Sequence, residues 1–306
     1  MALFEKALKA KTMSTQLLIR ANVSKSILYK AYEIAKNFEE RYSAYKQESF
    51  INKINSASGT DRIQCNSEDI KLFARCIEAS QNSDGYFDIT MGALTHGAYH
   101  FGFTNQSKAP KKLLEQQRKL VDFKWIDLDD TSILLMKKGM RLDLGGIGKG
   151  YVCKKIALFL KENGATKALV DVGGELVSFG KSYTVALKDP FTESNIAYIK
   201  TSKEPISIST SGDYERFITS KETNHILNKV SGMSPNIYSS MSVIQNGFDI
   251  DMLDAYATAM FNKNFDLVKS FAKKFNFATI SIDKESAVLL NNIRDLKLNS
   301  IEFTNR

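Results

Sequence analysis

Ala168-Leu169-Val170-Asp171-Val172-Gly173-Gly174-Glu175-Leu176-Val177-Ser178-Phe179-Gly180 consists of two short apolar runs separated by a glycine pair and closed by a third glycine. Val, Leu and Phe fit a pleated, half-buried surface, and glycine supplies the turns, so the stretch reads as strand rather than helix. The pattern continues downstream in 183–189 (YTVALKD), 197–202 (AYIKTS), 205–218 (PISISTSGDYERFI) and 241–246 (MSVIQN), each bounded by Gly, Pro or Asp. Upstream, 124–129 (KWIDLD), 132–138 (SILLMKK) and 140–146 (MRLDLGG) read as strands, followed by a helix over 150–163 that stops at Gly164. Helices over about 251–262 and 264–275 and a last strand in 278–286 (ATISIDKES) close the fold.

The first third of the chain has helical spacing instead. After a strand at 14–21 (STQLLIRA), Ser24 caps a helix over about 25–40 whose apolar positions are Ile27, Leu28, Ala31, Ile34, Ala35 and Phe38. A second amphipathic helix spans 67–82 with Ser67 as its cap, and 83–92 (SDGYFDITMG) has turn chemistry. The expected architecture is α+β: a single domain over 1–306, with a mixed, largely antiparallel sheet and flanking helices.

Composition limits what such a fold can do. With 306 residues, 43% of them hydrophobic, the chain can bury a large core, and disorder is excluded. A net charge of +8 suits an anionic ligand, but the lysines are scattered rather than interleaved with aromatics, so a solvated surface is expected and nucleic acid is set aside. Cys65, Cys76 and Cys153 have no metal or redox spacing. Lys and Glu interrupt the N-terminus where a signal peptide needs an apolar run, and no stretch approaches about 18 consecutive apolar residues, so the expectation is a cytoplasmic chain without a membrane span, with an exported chain trimmed of its signal as the alternative.

The densest chemical signal is 142–150 (LDLGGIGKG), where a strand enters a glycine-rich turn and then a helix. Such turns bring backbone N–H groups close to a phosphate, and the helix N-terminus and Lys149 add positive potential. A P-loop would need Gly at position 143 and Ser or Thr at 150, where Asp143 and Gly150 stand. The alternative is a turn that only packs helix on strand. Glu175, after the glycine pair, reads as a ligand for a sugar hydroxyl or amine, or as an ordinary turn carboxylate. Asp254 and Thr258 are four apart in a helical segment, so a carboxylate and a hydroxyl share one face. Two hard oxygens suit Mg²⁺, although a capping Asp and a solvated Thr have the same spacing. His96 and His100 lack the Glu of a metalloprotease helix and read as structural. His225 precedes a Gly/Pro loop and reads as a general base or a structural histidine.

Taken in order, these segments resemble the ApbE-like FAD:protein FMN transferases over nearly the whole chain. The resemblance is carried by 12–15 (TMST), with Ser14 in place of a family glycine, and by 43–45 (SAY) with 51–55. It continues through 85–92 (GYFDITMG) with 101–103, Asp143 to Gly150, 173–175, 209–214, 225–228, and Asp254 to Thr258. It implies that Met13, Tyr45, Phe87, Asp88, Asp143, Lys149, Glu175 and Ile226 line an FAD site. It also implies that Asp254, Thr258 and a backbone oxygen of Gly146 hold Mg²⁺, with Asp254 essential to catalysis, and that His225 is the base. The implied reaction cleaves FAD, attaches FMN through a phosphoester to Ser or Thr of an acceptor flavoprotein, and releases AMP. Hydrolysis of FAD to FMN and AMP, and FAD binding without cleavage, remain alternatives. After His225 the family has Asp-Pro and later Thr-Gly, whereas this chain has Asn228-Lys229-Val230-Ser231-Gly232. The family is typically exported and lipid-anchored.

Overall fold

Alternation places successive side chains of one strand on opposite faces, and in the central strands of this protein both faces are apolar: Leu169 and Val170 are adjacent and belong to different buried clusters. A sheet built from such strands needs cover on both sides. A computed structural model describes residues 4–304. The first half runs β1 (Lys6–Thr12), β2 (Thr15–Ala21), α1 (Lys25–Tyr42), α2 (Phe50–Ser56), β3 (Ile63–Gln64), α3 (Ser67–Asn82), α4 (Gly92–Thr95), α5 (Lys111–Arg118), β4 (Ile126–Leu128), β5 (Ser132–Leu135) and α6 (Gly148–Glu162). The second half runs β6 (Ala168–Val172), β7 (Glu175–Phe179), β8 (Thr184–Lys188), β9 (Asn195–Thr201), β10 (Ile206–Gly212), β11 (Phe217–Ile218), β12 (Ser220–Asn224) and β13 (Tyr238–Asn246). It ends with α7 (Ile250–Met260), α8 (Phe265–Phe275), β14 (Ala278–Asp283), β15 (Val288–Asn291) and β16 (Leu298–Phe303).

The main sheet has eight strands in the order β1-β2-β6-β7-β10-β13-β14-β15, and each neighbouring pair is antiparallel. One face, with Val170, Val177 and Val243, packs on α1, α6 and α7. The other, with Leu169, Ile208 and Ile280, packs on the three-stranded sheet β16-β9-β8 through Leu187, Ile196 and Ile199. The α+β expectation and the largely antiparallel sheet are borne out. The parallel pairing described is the isolated bridge Met91–Arg141.

Local chemistry explains where elements begin. Ser24 accepts a hydrogen bond from Ile27 N and starts α1 as expected. α3 is capped one residue earlier than expected: Asn66 accepts from Asp69 N while the Asp69 carboxylate accepts from Asn66 N, a reciprocal box that Ser67 cannot form from inside the helix. Residues 140–146 join no sheet: Arg141 makes only the isolated bridge, 145 and 146 turn, and the side chain of Asn55 takes the place of a strand partner at Leu142, donating to its carbonyl at 3.2 Å and accepting from its N–H at 2.7 Å. The first strand of the sheet, β1, precedes the one expected, and β15 and β16 follow the expected last strand. Among the described residues, no helix is long and apolar enough to cross a membrane.

Ile199 is fully buried between the two sheets. Ile199→Ala is expected to cost about 2–5 kcal/mol, the range for deleting a core branched side chain, read as a lower urea midpoint with an unchanged slope.

Candidate active site

The β1–β2 turn, the β6–β7 turn, the end of β10 and the N-terminal turn of α6 meet at one end of the strands and surround a cleft of about 260 Å³. Its floor is the glycine-rich turn, whose shape depends on Asp143. One carboxylate oxygen accepts from Gly145 N at 2.8 Å. The other meets Thr95 Oγ1 at 2.6 Å and His96 Nε2 at 3.1 Å. Burial alone would raise this carboxyl, but His96, Thr95 and the Gly145 N–H together hold it well below the usual carboxylate range. Asp143 therefore stays ionised and clamps the turn so that Gly145, Gly146 and Gly148 line the cleft.

Gly150, the last glycine of the run, has a different task. A Cβ there would lie 2.5 Å from the Ile250 carbonyl oxygen and 2.8 Å from Asp254 Cβ, so α6 and α7 touch backbone to backbone at this point. The N–H of Gly150 donates to Asp254 Oδ2 at 2.9 Å, which orients the Asp254 carboxylate toward the turn. Thr258, one helical turn on, faces Gly146, where a Cβ would lie 2.9 Å from its hydroxyl oxygen. Asp254 does not cap its helix; Asp249 occupies that position. Asp251 is bound to Arg75 at 2.8 Å and Lys154 at 3.0 Å on the far side.

Lys149 lines the cleft, and its ammonium donates to Glu175, which lies beneath it and does not itself line the cleft. Burial and the Asp254 charge push the Glu175 carboxyl up, while Lys149 pulls it down. Asp254 is also raised by burial, with Lys149 opposing. Two buried carboxylates facing one ammonium leave room for further positive charge. Asp254 and Thr258, beside Gly146, present only hard oxygens, and no group of three His, Cys, Asp or Glu able to hold a metal occurs among the described residues. A donor set with a single carboxylate fits Mg²⁺, which keeps waters and phosphates in its sphere, and does not fit zinc.

The opposite wall is aromatic. Tyr45 lies 5.0 Å from Phe103 and 5.2 Å from His96, ring centre to ring centre, and its hydroxyl accepts from Arg216 at 2.8 Å. His225, on the same side, meets the Arg216 carbonyl through Nδ1 at 3.2 Å. A carbonyl only accepts, so Nδ1 carries the hydrogen and Nε2 the lone pair. Burial, reinforced by the charges of Arg216 and Lys149, pushes the ring down to about 4, so it is neutral at pH 7. Met13 and Ser14 form the β1–β2 turn at φ 52° and 59°. Two left-handed residues match hairpin twist, a geometry for which Asn-Gly is the relaxed choice, so this turn holds strain at the cleft. Phe87 packs 3.3 Å from the Cβ position of Gly146, and Ile226 lines the cleft beside His225. Asp88 also lines it while accepting from Thr90 and from Phe123 N; burial raises its carboxyl.

The structure thus brings together every residue singled out from the sequence except Glu175, which reaches the cleft through Lys149. Sequence reasoning missed Arg216 and Thr95, and treated His96 as structural without its bond to Asp143. Arg216 lies two residues beyond the 209–214 block, and no spacing rule marks it.

With this geometry in view, comparison with known proteins is direct. The profile of the ApbE family matches residues 12–280. The chain belongs to the ApbE family. A relative from Klebsiella pneumoniae (strain 342), named FAD:protein FMN transferase, is 26% identical over 281 residues, covering 89% of this chain and 87% of its own. One of the same name from Treponema pallidum (strain Nichols) is 24% identical over 270 residues, 81% of this chain and 74% of its own. The crystal structure of the ApbE protein from Thermotoga maritima superposes with a TM-score of 0.86 at 24% identity, covering 97% of this chain and all 100% of that one. The apo flavinyl transferase ApbE of Pseudomonas stutzeri superposes with a TM-score of 0.82 at 18% identity, covering 98% and 99%. This ApbE-family chain shares the fold of these two structures over 97–98% of its length.

Two outcomes follow from the site. Gly150→Val is expected to force α7 off α6, lowering the melting temperature by several degrees and weakening FAD binding, both measurable by a thermal shift with and without FAD. The unfolded His225 ring titrates near ~6.5 and the folded one near about 4, so between these values the unfolded state binds more protons and stability rises with pH. His225→Gln should flatten that part of the stability-against-pH curve, measured by urea unfolding; an unchanged slope would show that His225 is not the group responsible.

Proposed function

We propose that this chain is an Mg²⁺-dependent FAD:protein FMN transferase. The observation that carries the reading is the convergence, in one cleft of an ApbE-family fold, of a glycine turn aimed at phosphate, an oxygen-only pair on α7 and a neutral histidine on the opposite wall. The names of the relatives supply the reaction class.

Each residue has a physical task in that reaction. The positive end of α6 and the Lys149 ammonium attract the FAD pyrophosphate to the glycine turn, where the Gly148 and Gly150 N–H groups are already held by the Leu144 carbonyl and by Asp254. Tyr45, with Phe103 behind it, gives the flavin ring an aromatic face to lie against. Asp254, Thr258 and the Gly146 carbonyl would hold Mg²⁺. When bound, that ion neutralises charge building on the pyrophosphate. The acceptor Ser or Thr hydroxyl attacks the FMN phosphorus, forming the phosphoester as the bond to the bridging oxygen breaks and AMP departs. His225 Nε2 takes the hydroxyl proton, a role open to it because the ring is neutral at pH 7. The loop after His225 supports the same geometry without the family's Asp-Pro. Asn228 Oδ1 accepts from Val230 N at 2.9 Å and Ser231 N at 3.1 Å, so an amide does the turn-forming work of a carboxylate.

The test is to mix the protein with FAD, Mg²⁺ and an acceptor flavoprotein that carries a Thr site, then look for flavin fluorescence on a denaturing gel and for released AMP. A fluorescent acceptor band abolished by EDTA supports the transferase, whereas AMP without a band would replace it with hydrolysis. Asp254→Ala should lower the rate by about 100-fold or more, since even outer partners of metal ligands cost 10–100-fold. Undiminished Mg²⁺-dependent activity in that variant rules out the metal assignment.

A further inference from the structure

We propose that Arg216 is the positioning residue of the acceptor side of the cleft: its carbonyl sets the ring of His225, and its guanidinium sets the ring of Tyr45. The inference rests on the transferase reading and deepens it, because that reading gives Arg216 no task.

Arg216 follows β10, and both of its polar ends are engaged. Its carbonyl accepts the His225 N–H at 3.0 Å and the Nδ1 hydrogen at 3.2 Å, so main chain and ring of the histidine hang on one oxygen. Its guanidinium donates to Tyr45 Oη at 2.8 Å and lies 5.6 Å from the centre of that ring. Tyr45 sits on the loop after α1 and is 39% exposed, held from behind by Phe103 and His96. The Arg216 bond is its tie across the mouth, joining positions 171 residues apart. One residue therefore aligns the proton acceptor with the aromatic wall.

Charge acts in the same direction. The charged groups acting on His225 are Arg216 after β10, Lys149 on α6 and Asp143 in the glycine turn; the first two disfavour a second proton on the ring and Asp143 favours it. Burial is the largest cause of the ring's neutrality; the Arg216 guanidinium charge adds to it, while the Arg216 carbonyl on Nδ1 works against it. Lysine could supply the charge but not the planar fork that reaches the Tyr45 hydroxyl.

The experiment uses the whole protein with labelled histidine, in which three His signals are expected and His225→Gln assigns one. The His225 signal should titrate well below ~6.5 in the wild type, move up toward it in Arg216→Gln, and stay low in Arg216→Lys. FAD affinity, followed by flavin fluorescence, should weaken about tenfold in Arg216→Gln, as for loss of a charged hydrogen bond. It should also weaken in Tyr45→Phe, and the double variant should lose no more than the worse single one. An unmoved His225 titration in Arg216→Gln, or losses that add, overturns the assignment. If the wild type transfers no flavin while these results hold, the transferase reading fails and Arg216 keeps its role. If it binds no FAD, the titration alone decides.

Discussion

The contact on which the site depends is the approach of α6 to α7 at Gly150. Helices packed through ordinary side chains stand about 8–10 Å apart, too far for a backbone N–H on one to reach a carboxylate rooted on the other. With hydrogen in place of a side chain, the two backbones meet, and Gly150 N bonds Asp254 at 2.9 Å. That bond places the carboxylate beside the glycine turn and brings Thr258, one turn later, against Gly146. The position that in a P-loop carries a hydroxyl is here given to helix packing, and the hydroxyl comes from the neighbouring helix instead.

The electrostatics depend on the same contact. Asp254 and Glu175 are buried and share the single ammonium of Lys149, which itself faces the cleft, so burial raises both carboxyls while Lys149 opposes it. Asp143, a few residues before Lys149, has the opposite fate: with Thr95, His96 and the Gly145 N–H on its two oxygens it is firmly ionised and does architectural work. These carboxylates around one cleft take different roles because Asp143 is saturated with donors and the others are not.

Most of the fold could be read from spacing alone. The Gly-bounded apolar runs became β6, β7 and β10, and Ser24 starts α1 where its side chain can reach Ile27 N. The errors came where a distant partner decides local structure. Asn55 takes the place of a strand partner at Leu142 in the segment read as a strand, and the reciprocal bonds of Asn66 and Asp69 move the cap of α3 back by one residue. In the site, the glycine turn and the Asp254–Thr258 pair were visible because short-range spacing encodes them. Arg216 was not, because its meaning lies in a tyrosine 171 positions away.

The distance along the chain between the parts of the cleft also bears on its synthesis. Met13, Tyr45 and the turn after Asp143 leave the ribosome well before α7, which follows Gly150 by 104 residues at Asp254. A nascent chain therefore carries Tyr45 and the glycine turn while the Asp254–Thr258 pair across the cleft is still unmade. Strand β13 and helix α7 come after most of the other residues of the cleft, with α8, β14 and β15 of the core later still, so a fragment that stops short of α7 lacks Asp254 and Thr258.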